Sequence, residues 1–320
     1  MMTSDHFDGK RFFNPGAGPN LRSFREVLRW KMQPRPQPWP VHDSEVPVWT
    51  SRPVEPGQVA VTYVGQDTFL LQLPGGVNLL TDPHWSDRAS PLSWFGPRRV
   101  RRPAIRFEDL PPIAGVMVSH NHYDHLDLPT LRRLEAAHHP RFFVPLANRR
   151  WLGGPADVVE LDWWGDSELA GYRIMLVPAQ HWSNRWMFDR NRSLWGGFAV
   201  LGPGMCVYFS GDTGYNEPMF QEIGERVGPV SLSLLPIGTY EPRWFMHPQH
   251  MNPDDSVRAH IALGSRQSLG MHVATFQLAD EPFEAPYVAL QEALAFHRVE
   301  PERFRPPQFG ITELFGTEPF

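Results

Sequence analysis

Ser119-His120-Asn121-His122-Tyr123-Asp124-His125-Leu126-Asp127 places three imidazoles and a carboxylate within six positions, directly after the apolar run Val116-Met117-Val118. His120 and His122 are one residue apart and can share a side of extended backbone. Asp124 and His125 can then turn toward a second position, so the spacing permits two metals. Any one of these residues alone would read as an ordinary structural polar group. Together, in a turn after a buried strand, they are poor core filling, because buried imidazoles and carboxylates need compensating partners. The run points to a metal-ligand cluster and to hydrolytic chemistry.

Outward from this run, Val59 to Val64, Thr68 to Leu73 and Val77 to Leu80 read as strands joined by glycine-bearing turns, and the third ends at Thr81-Asp82-Pro83. A strand is expected at Gly115 to Val118, a helix near Leu128 to Ala137, and strands at Phe142 to Val144, around Val158, at Tyr172 to Val177 and at Gly197 to Leu201. Met205 to Phe209 reads as a strand stopping at Gly211-Asp212-Thr213-Gly214, and Glu217 to Val227 as a helix. Ser231 to Leu235, Asp254 to Leu263, Ser268 to Met271 and Tyr287 to His297 continue the rhythm. Further candidate ligands follow strands. His181 comes after Val177-Pro178-Ala179-Gln180, Asp212 lies between glycines that allow close backbone approach, and His272 ends Ser268-Leu269-Gly270-Met271. Their repetition suggests an active site at the edges of two packed sheets.

The chain has 320 residues and is 41% hydrophobic, enough to bury a large core. Residues 1–57 are read as a proline-rich arm packed on a main domain spanning 58–320. Within the arm, Pro34, Pro36, Pro38 and Pro40 exclude a regular helix. Leu21, Phe24, Val27 and Leu28 are spaced as the stripe of a short amphipathic helix, with Trp30 off it. The single cysteine, Cys206, rules out an internal disulfide framework and suits a reducing compartment. The first residues carry His6, Asp8, Lys10 and Arg11 rather than an apolar leader, and no long uncharged apolar run follows. A cytoplasmic protein, peripheral at most to a membrane, is expected. The net charge of −5 gives no general support for nucleic-acid binding.

The His-x-His-x-Asp-His run, His181, Asp212, His272 and the opening Thr81-Asp82-Pro83 resemble the metallo-beta-lactamase fold superfamily over roughly residues 58 to 280. Ser86 to Pro91, Gly96 to Arg102, His120 to Asp127, Gly211 to Tyr215, Gln249-His250 and Gly270 to Phe276 resemble its N-acylphosphatidylethanolamine-hydrolysing phospholipase D branch. The resemblance implies an α/β (α+β) fold, a four-layer αββα sandwich with a two-metal site at its rim. It places His120, His122 and His181 on one metal, Asp124, His125 and His272 on the other, and Asp212 between them. Two divalent ions are expected; the donors suit zinc, with iron and manganese left open. The implied reaction is attack on phosphorus by a metal-bridging hydroxide that Asp124 orients, giving phosphatidic acid and an N-acylethanolamine.

The same resemblance makes His250 an active-site histidine that contacts substrate phosphate or assists the leaving group, and casts Asp82 and Asp127 as acids that hold ligand histidines in one tautomer. His247 is a weaker candidate, and His260 reads as packing or surface. Arg98, Arg99, Arg101 and Arg102, beside Trp94-Phe95, are candidate phosphate or headgroup contacts, against a solvated loop with locally paired arginines. Trp163, Trp164 and Trp182 to Met187 read as rim packing or as an acyl-chain groove. The expected partner is a phospholipid or other small phosphodiester, with peripheral membrane contact and homo-oligomerisation left open and no nucleic acid. The alternatives are a soluble lactone or small cyclic phosphodiester hydrolase and, well behind, a non-enzymatic metal-binding scaffold.

Overall fold

The computed structural model describes residues 4–16, 24–33, 36–42, 44–153 and 157–316. Leu21 and Pro34 lie outside these residues, and so does the side chain of Phe24. Helix α1 (Phe24–Lys31) precedes strands β1 (Gln58–Gly65), β2 (Thr68–Leu73), β3 (Val77–Thr81) and β4 (Gly115–Met117). Next come α2 (Leu128–His138), β5 (Arg141–Pro145), α3 (Arg149–Leu152), β6 (Val158–Leu161), β7 (Asp166–Leu169) and β8 (Tyr172–Val177). Then follow β9 (Gly197–Gly202), β10 (Met205–Phe209), α4 (Glu217–Val227), β11 (Leu232–Pro236) and α5 (Arg243–Met246). The order closes with α6 (Pro253–Ala262), β12 (Gln267–Met271), α7 (Ala285–His297), β13 (Phe304–Arg305) and β14 (Thr312–Gly316).

The strands form two mixed sheets, ordered β14-β1-β2-β3-β4-β5-β6 and β13-β12-β11-β10-β9-β8-β7. Alternate side chains face opposite sides of a strand, and here both sides are apolar. Val59, Val61, Phe69, Leu71, Met117 and Phe143 of the first sheet pack against Ile174, Leu176, Phe198, Val207, Phe209 and Leu234 of the second. The intervening residues face outward. Leu70, Leu80, Val116, Phe142 and Val144 meet Leu131 and Leu134 of α2. Cys206, Tyr208 and Leu235 meet Phe220 and Ile223 of α4, Val257 of α6 and Leu290 of α7. This is the four-layer αββα sandwich. Full burial on both faces explains why the central strands read as continuous apolar runs.

Strands β3 to β6 run parallel, as do β10 to β13. Their carboxyl ends deliver Asp82, His120, Asp212 and His272 into one set of loops. Helix α4 begins where Asn216 accepts the N–H of Met219, and α6 begins with a capping box between Asn252 and Asp255.

Ahead of β1, Trp49 donates its indole N–H to Thr312 (3.1 Å) and Trp39 to the Glu281 carbonyl (3.0 Å). The face that α1 buries differs from the expected stripe. Val27 and Trp30 pack on Phe245, Met246 and Ala279, whereas Leu28 is 47% exposed. Trp30 wins because its indole N–H also reaches Asp280 (2.6 Å) while its ring lies against Phe245, a combination an aliphatic side chain cannot supply. Among the described residues no helix is long and apolar enough to cross a membrane.

His260, on α6, is buried with Nδ1 2.7 Å from the Ser268 hydroxyl. Burial, assisted by Arg303, pushes its imidazole down from 6.5 to about 4. The unfolded chain therefore binds a proton there that the folded chain refuses, and stability present above pH 6.5 is lost as pH falls through 4. The loss is on the order of 2–3 kcal/mol. His260→Gln should flatten the pH dependence of the urea midpoint between pH 7 and 4. Identical slopes for variant and wild type would show that His260 carries none of it.

Candidate metal centre

Two groups of donors converge at the rim of the sandwich. His120 follows β4 and His181 follows β8; His122 Nδ1 lies 2.8 Å from His120 Nε2 and 3.3 Å from His181 Nε2. Asp212, just beyond β10, brings Oδ2 to 3.9 Å from His120 Nε2 and 3.8 Å from His181 Nε2. In the second group, His125 Nε2 lies 3.1 Å from Asp124 Oδ2 and 3.2 Å from Asp212 Oδ2, while His272 Nε2 lies 3.3 Å from Asp124 Oδ2 and from Asp212 Oδ1. Asp212 thus touches both groups.

Electrostatics differ between the two. Burial lowers the imidazoles of His122 and His181 to about 3 and holds that of His120 well below its ordinary range, keeping them neutral, the form that ligates. For His125 and His272 burial acts in the same direction but is overcome. Asp124, Asp212 and Asp67 hold His125 well above its usual range, and Asp212 and Asp67 lead in raising His272 to about 10. Burial opposes ionisation of Asp212, yet His272, His125 and His250 hold its carboxyl well below the ordinary range. The second group is a strong attractor of cations.

Buried atoms without hydrogen-bond partners test whether metals fit. His125 Nε2, Asp212 Oδ1 and both oxygens of Asp67 are such atoms, and all belong to this rim. Leaving so many buried polar groups unpaired is costly, and cations between them would satisfy several at once. The set His120, His122, His181, Asp212 and the set Asp67, His125, Asp212, His272 can each surround one ion. The donor sets fit a pair of divalent metals.

The surrounding shell fixes these side chains. Asp82 accepts the backbone N–H and hydroxyl of Ser119 (2.7 and 2.5 Å) and faces His125 Nδ1 at 2.7 Å. The Ser119 hydroxyl is also 2.9 Å from His120 Nδ1, His181 Nδ1 faces the Gln249 carbonyl (3.0 Å), and His272 Nδ1 faces the Thr239 hydroxyl (2.8 Å). Each imidazole therefore turns its other nitrogen to the centre. Glu281 holds this last turn by accepting the N–H groups of Thr239 and Glu241.

His250, buried in the loop between α5 and α6, points Nδ1 at Asp212 Oδ2, 3.8 Å away. Arg243 carries that loop, donating to the His250 carbonyl (3.0 Å) and to Asp255 (2.7 Å). His247 is exposed in the same loop, and His260 is packed away from the centre.

Other residues lie elsewhere. Asp127 accepts from Ser86 N and Oγ (3.0 and 2.8 Å) and Thr130 (2.6 Å), and the imidazole that faces it is His84, at 3.7 Å. It ties the 84–86 loop to α2 and does not orient one of the clustered histidines. Arg99 is buried, donating to the carbonyls of His84 and Ser86 above the Phe276 ring, so it is committed internally. Arg98, Arg101 and Arg102 line a cleft of about 680 Å³ with Val41, His42 and Trp85, a cleft with none of the clustered His and Asp residues in its walls. Trp182 packs edge-on against His122, 4.4 Å between ring centres, and Trp163 stacks on His6 at 4.2 Å.

Sequence reasoning missed Gln66 and Asp67, at the tip of the β1–β2 hairpin. Gln66 donates to Asp124 Oδ2 (2.9 Å) and approaches His272 Nε2 (3.0 Å). A polar pair between two strands reads as ordinary turn chemistry. Gly65, at φ 139°, and Gln66, at φ 56°, mark an unusual tip, of which the sequence shows only the glycine.

Fold and centre together define a metallo-hydrolase of the αββα type. The chain belongs to the metallo-beta-lactamase superfamily, for a family model of the beta-lactamase superfamily domain matches residues 77–273. It is 40% identical over 287 residues to N-acyl-phosphatidylethanolamine-hydrolyzing phospholipase D 1 of Caenorhabditis elegans, covering 84% of this chain and 80% of that protein. It is 36% identical over 248 residues to the mitochondrial N-acyl-phosphatidylethanolamine-hydrolyzing phospholipase D of Saccharomyces cerevisiae, covering 75% of this chain and 53% of that protein. Among solved structures, isothiocyanate hydrolase from Delia radicum gut bacteria superposes with a TM-score of 0.62 at 20% identity, covering 81% of this chain and 99% of that one. Igni18, a metallo hydrolase from Ignicoccus hospitalis, gives 0.59 at 22% identity, covering 81% and 98%. These structural likenesses concern the fold.

Asp82→Asn keeps the shape of the side chain but weakens its hold on His125. Metal retention during dialysis against a chelator should fall roughly 10–100-fold, with far-UV circular dichroism unchanged. Retention equal to wild type would remove Asp82 from the support of the centre.

Proposed function

We propose that this protein is a metal-dependent phosphodiester hydrolase that cleaves N-acylphosphatidylethanolamine-like lipids in the phospholipase D sense, releasing phosphatidic acid and an N-acylethanolamine. The observation that carries the reading is the pair of donor groups sharing Asp212, with His250 aimed at the same carboxylate. The worm and yeast relatives supply the substrate class, since their names state it.

In this reading His120, His122 and His181 would hold one ion and Asp124, His125 and His272 the other, with Asp212 within reach of both. The chemistry that two divalent ions held there would supply is a lowered water pKa and stabilisation of charge on a phosphoryl oxygen. Asp124, fixed by the Gln66 amide, accepts a hydrogen bond from the attacking water and orients it. Burial lowers the His250 imidazole to about 3 against the pull of Asp212, so it stays neutral and offers one N–H to the phosphate or to the leaving oxygen. The Arg243–Asp255 pair sets the position of that N–H.

Exposed apolar tips support a lipid substrate. Trp94 and Phe95 stand on one loop and Trp186, Met187 and Phe188 on another, each 62–76% exposed. Both loops are rooted at Tyr123, inside the His-rich run. His84, at the start of the first, faces the Tyr123 carbonyl (3.2 Å), and the Tyr123 hydroxyl donates to the Arg185 carbonyl of the second (2.7 Å). Aromatic tips of this kind enter a bilayer interface, and nearby Arg98 and Arg102 suit anionic headgroups. A peripheral contact of this rim with phospholipid surfaces is part of the proposal.

The decisive assay is hydrolysis of N-acylphosphatidylethanolamine in mixed micelles by metal-verified protein, with both products followed by mass spectrometry and Asp124→Asn as control. Turnover by wild type alone is the expected result. No turnover by fully loaded protein, with activity on a lactone or a cyclic phosphodiester instead, would replace the lipid reading. Asp212→Asn should lose at least about 100-fold in kcat/KM together with metal, whereas His250→Ala should lose a comparable factor with metal content intact. Trp186→Ser with Phe188→Ser should weaken turnover on vesicles about tenfold and leave a short-chain monomeric substrate unaffected; equal losses on both would show that the tips are not an interfacial device.

A further inference from the structure

Asp67 is fully buried, and neither of its carboxylate oxygens has a hydrogen-bond partner. An isolated carboxylate in such a place is strongly disfavoured unless a cation neutralises it. Oδ2 lies 3.3 Å from His125 Nδ1 and 3.7 Å from His272 Nε2, and with Asp212 these residues form a group able to surround one ion. A role in orienting His125 is already filled, because Asp82 faces the same Nδ1 at 2.7 Å.

The placement is built in by the backbone. The hydroxyl of Thr81 donates to the Asp67 carbonyl (2.6 Å), the Gln66 N–H donates to Thr275 (2.8 Å), and the Gln66 carbonyl accepts the N–H of His272 (2.9 Å). Three hydrogen bonds, from the end of β3 and from the loop after β12, thus clamp the backbone of the hairpin tip that carries Asp67. Charge points the same way. Asp67, Asp82, Asp124 and Asp212 are four buried carboxylates in contact with His125 or His272. Ionised, they balance two divalent cations.

Building on the metal-dependent reading above, we propose that Asp67 is a further metal-site residue, contributing a carboxylate oxygen to the position held by His125 and His272. That position then has two imidazoles and the carboxylates of Asp67, Asp124 and Asp212, whereas the other has three imidazoles and Asp212. Carboxylate-rich sites favour manganese and similar oxygen-preferring ions, and imidazole-rich sites favour zinc. Asp67 therefore sets a metal preference at one of two adjoining positions.

The test needs no substrate. Metal-stripped wild type and Asp67→Asn are each titrated with manganese(II) and with zinc(II), bound metal is measured by elemental analysis, and the manganese forms are examined by electron paramagnetic resonance. Wild type should hold two manganese ions with the spectrum of a coupled pair. Asp67→Asn should hold one tightly, show a single-ion spectrum, and bind the second at least tenfold more weakly. Its second zinc should weaken by a smaller factor. If Asp67→Asn does not fold by circular dichroism, Asp67→Ser, smaller and uncharged, carries the same comparison. A folded variant with two manganese ions, unchanged affinities and an unchanged manganese-to-zinc ratio would overturn the role of Asp67 alone. Wild type that binds neither ion would overturn the metal-dependent reading as well.

Discussion

Asp212 is a carboxylate stripped of water and ringed by the imidazoles of His120, His125, His181, His250 and His272, all between 3.2 and 3.9 Å away. Neutral imidazoles cannot compensate a buried anion as water does, so this concentration of donors is stable only with cations, whether protons or metals. Every neighbouring element is shaped by that demand. Burial forces His120, His122 and His181 to stay neutral, while the acids around His125 and His272 draw positive charge to that side, as protons on the imidazoles or as a metal ion that displaces them. One carboxylate therefore faces a ligand-like group on one side and a cation-attracting group on the other.

Holding such a set together requires a rigid frame. The sandwich supplies it by ending β1, β3, β4, β8, β10, β11 and β12 near one rim, with their interiors locked by apolar side chains on both faces. The loops beyond those ends absorb the strain. Gln66, Asp82, Thr239, His272 and Ala274 all adopt left-handed backbone, which ordinary residues avoid at some cost. The backbone of Gly238 presses so closely on the His272 carbonyl that a Cβ would clash there. Packing elsewhere over-determines these conformations, so the stability of the core and the precision of the centre are linked.

Much of this was legible because the chemistry coincides with strong local signals. Thr68–Leu73, Tyr172–Val177, Met205–Phe209 and Glu217–Val227 were read with the boundaries they have, since long apolar runs or a capped amphipathic helix leave little choice. β7, β13 and β14 went unseen because each lies at a sheet edge, where polar residues such as Asp166, Glu168, Arg305 and Glu313 break the apolar pattern. The His-rich run announces itself by crowding. Asp67 does not, because its role depends on residues that are distant in sequence and meet only in the folded chain. Arg99 illustrates the converse. One of five residues in a basic stretch, it looks exposed in sequence, but the loop folds it under its neighbours to hold His84 and Ser86.

The division between frame and rim also bears on substrate choice. Donors for metal sit on strand ends, where each side chain is fixed from two sides, and they cannot vary without disturbing the core. The residues that would meet a lipid stand on loops 85–99 and 182–192, whose tips are exposed and pack on nothing that the core requires. The roots of those loops are tied to the centre through Tyr123, Trp182 and the Arg185 guanidinium, which donates to the carbonyls of Asn121 and Leu126. Reaction class and substrate class are therefore written in different parts of the chain. The donors fixed on strand ends carry the first, whereas loop tips that can change while the centre stays the same leave the second open to variation on one sandwich.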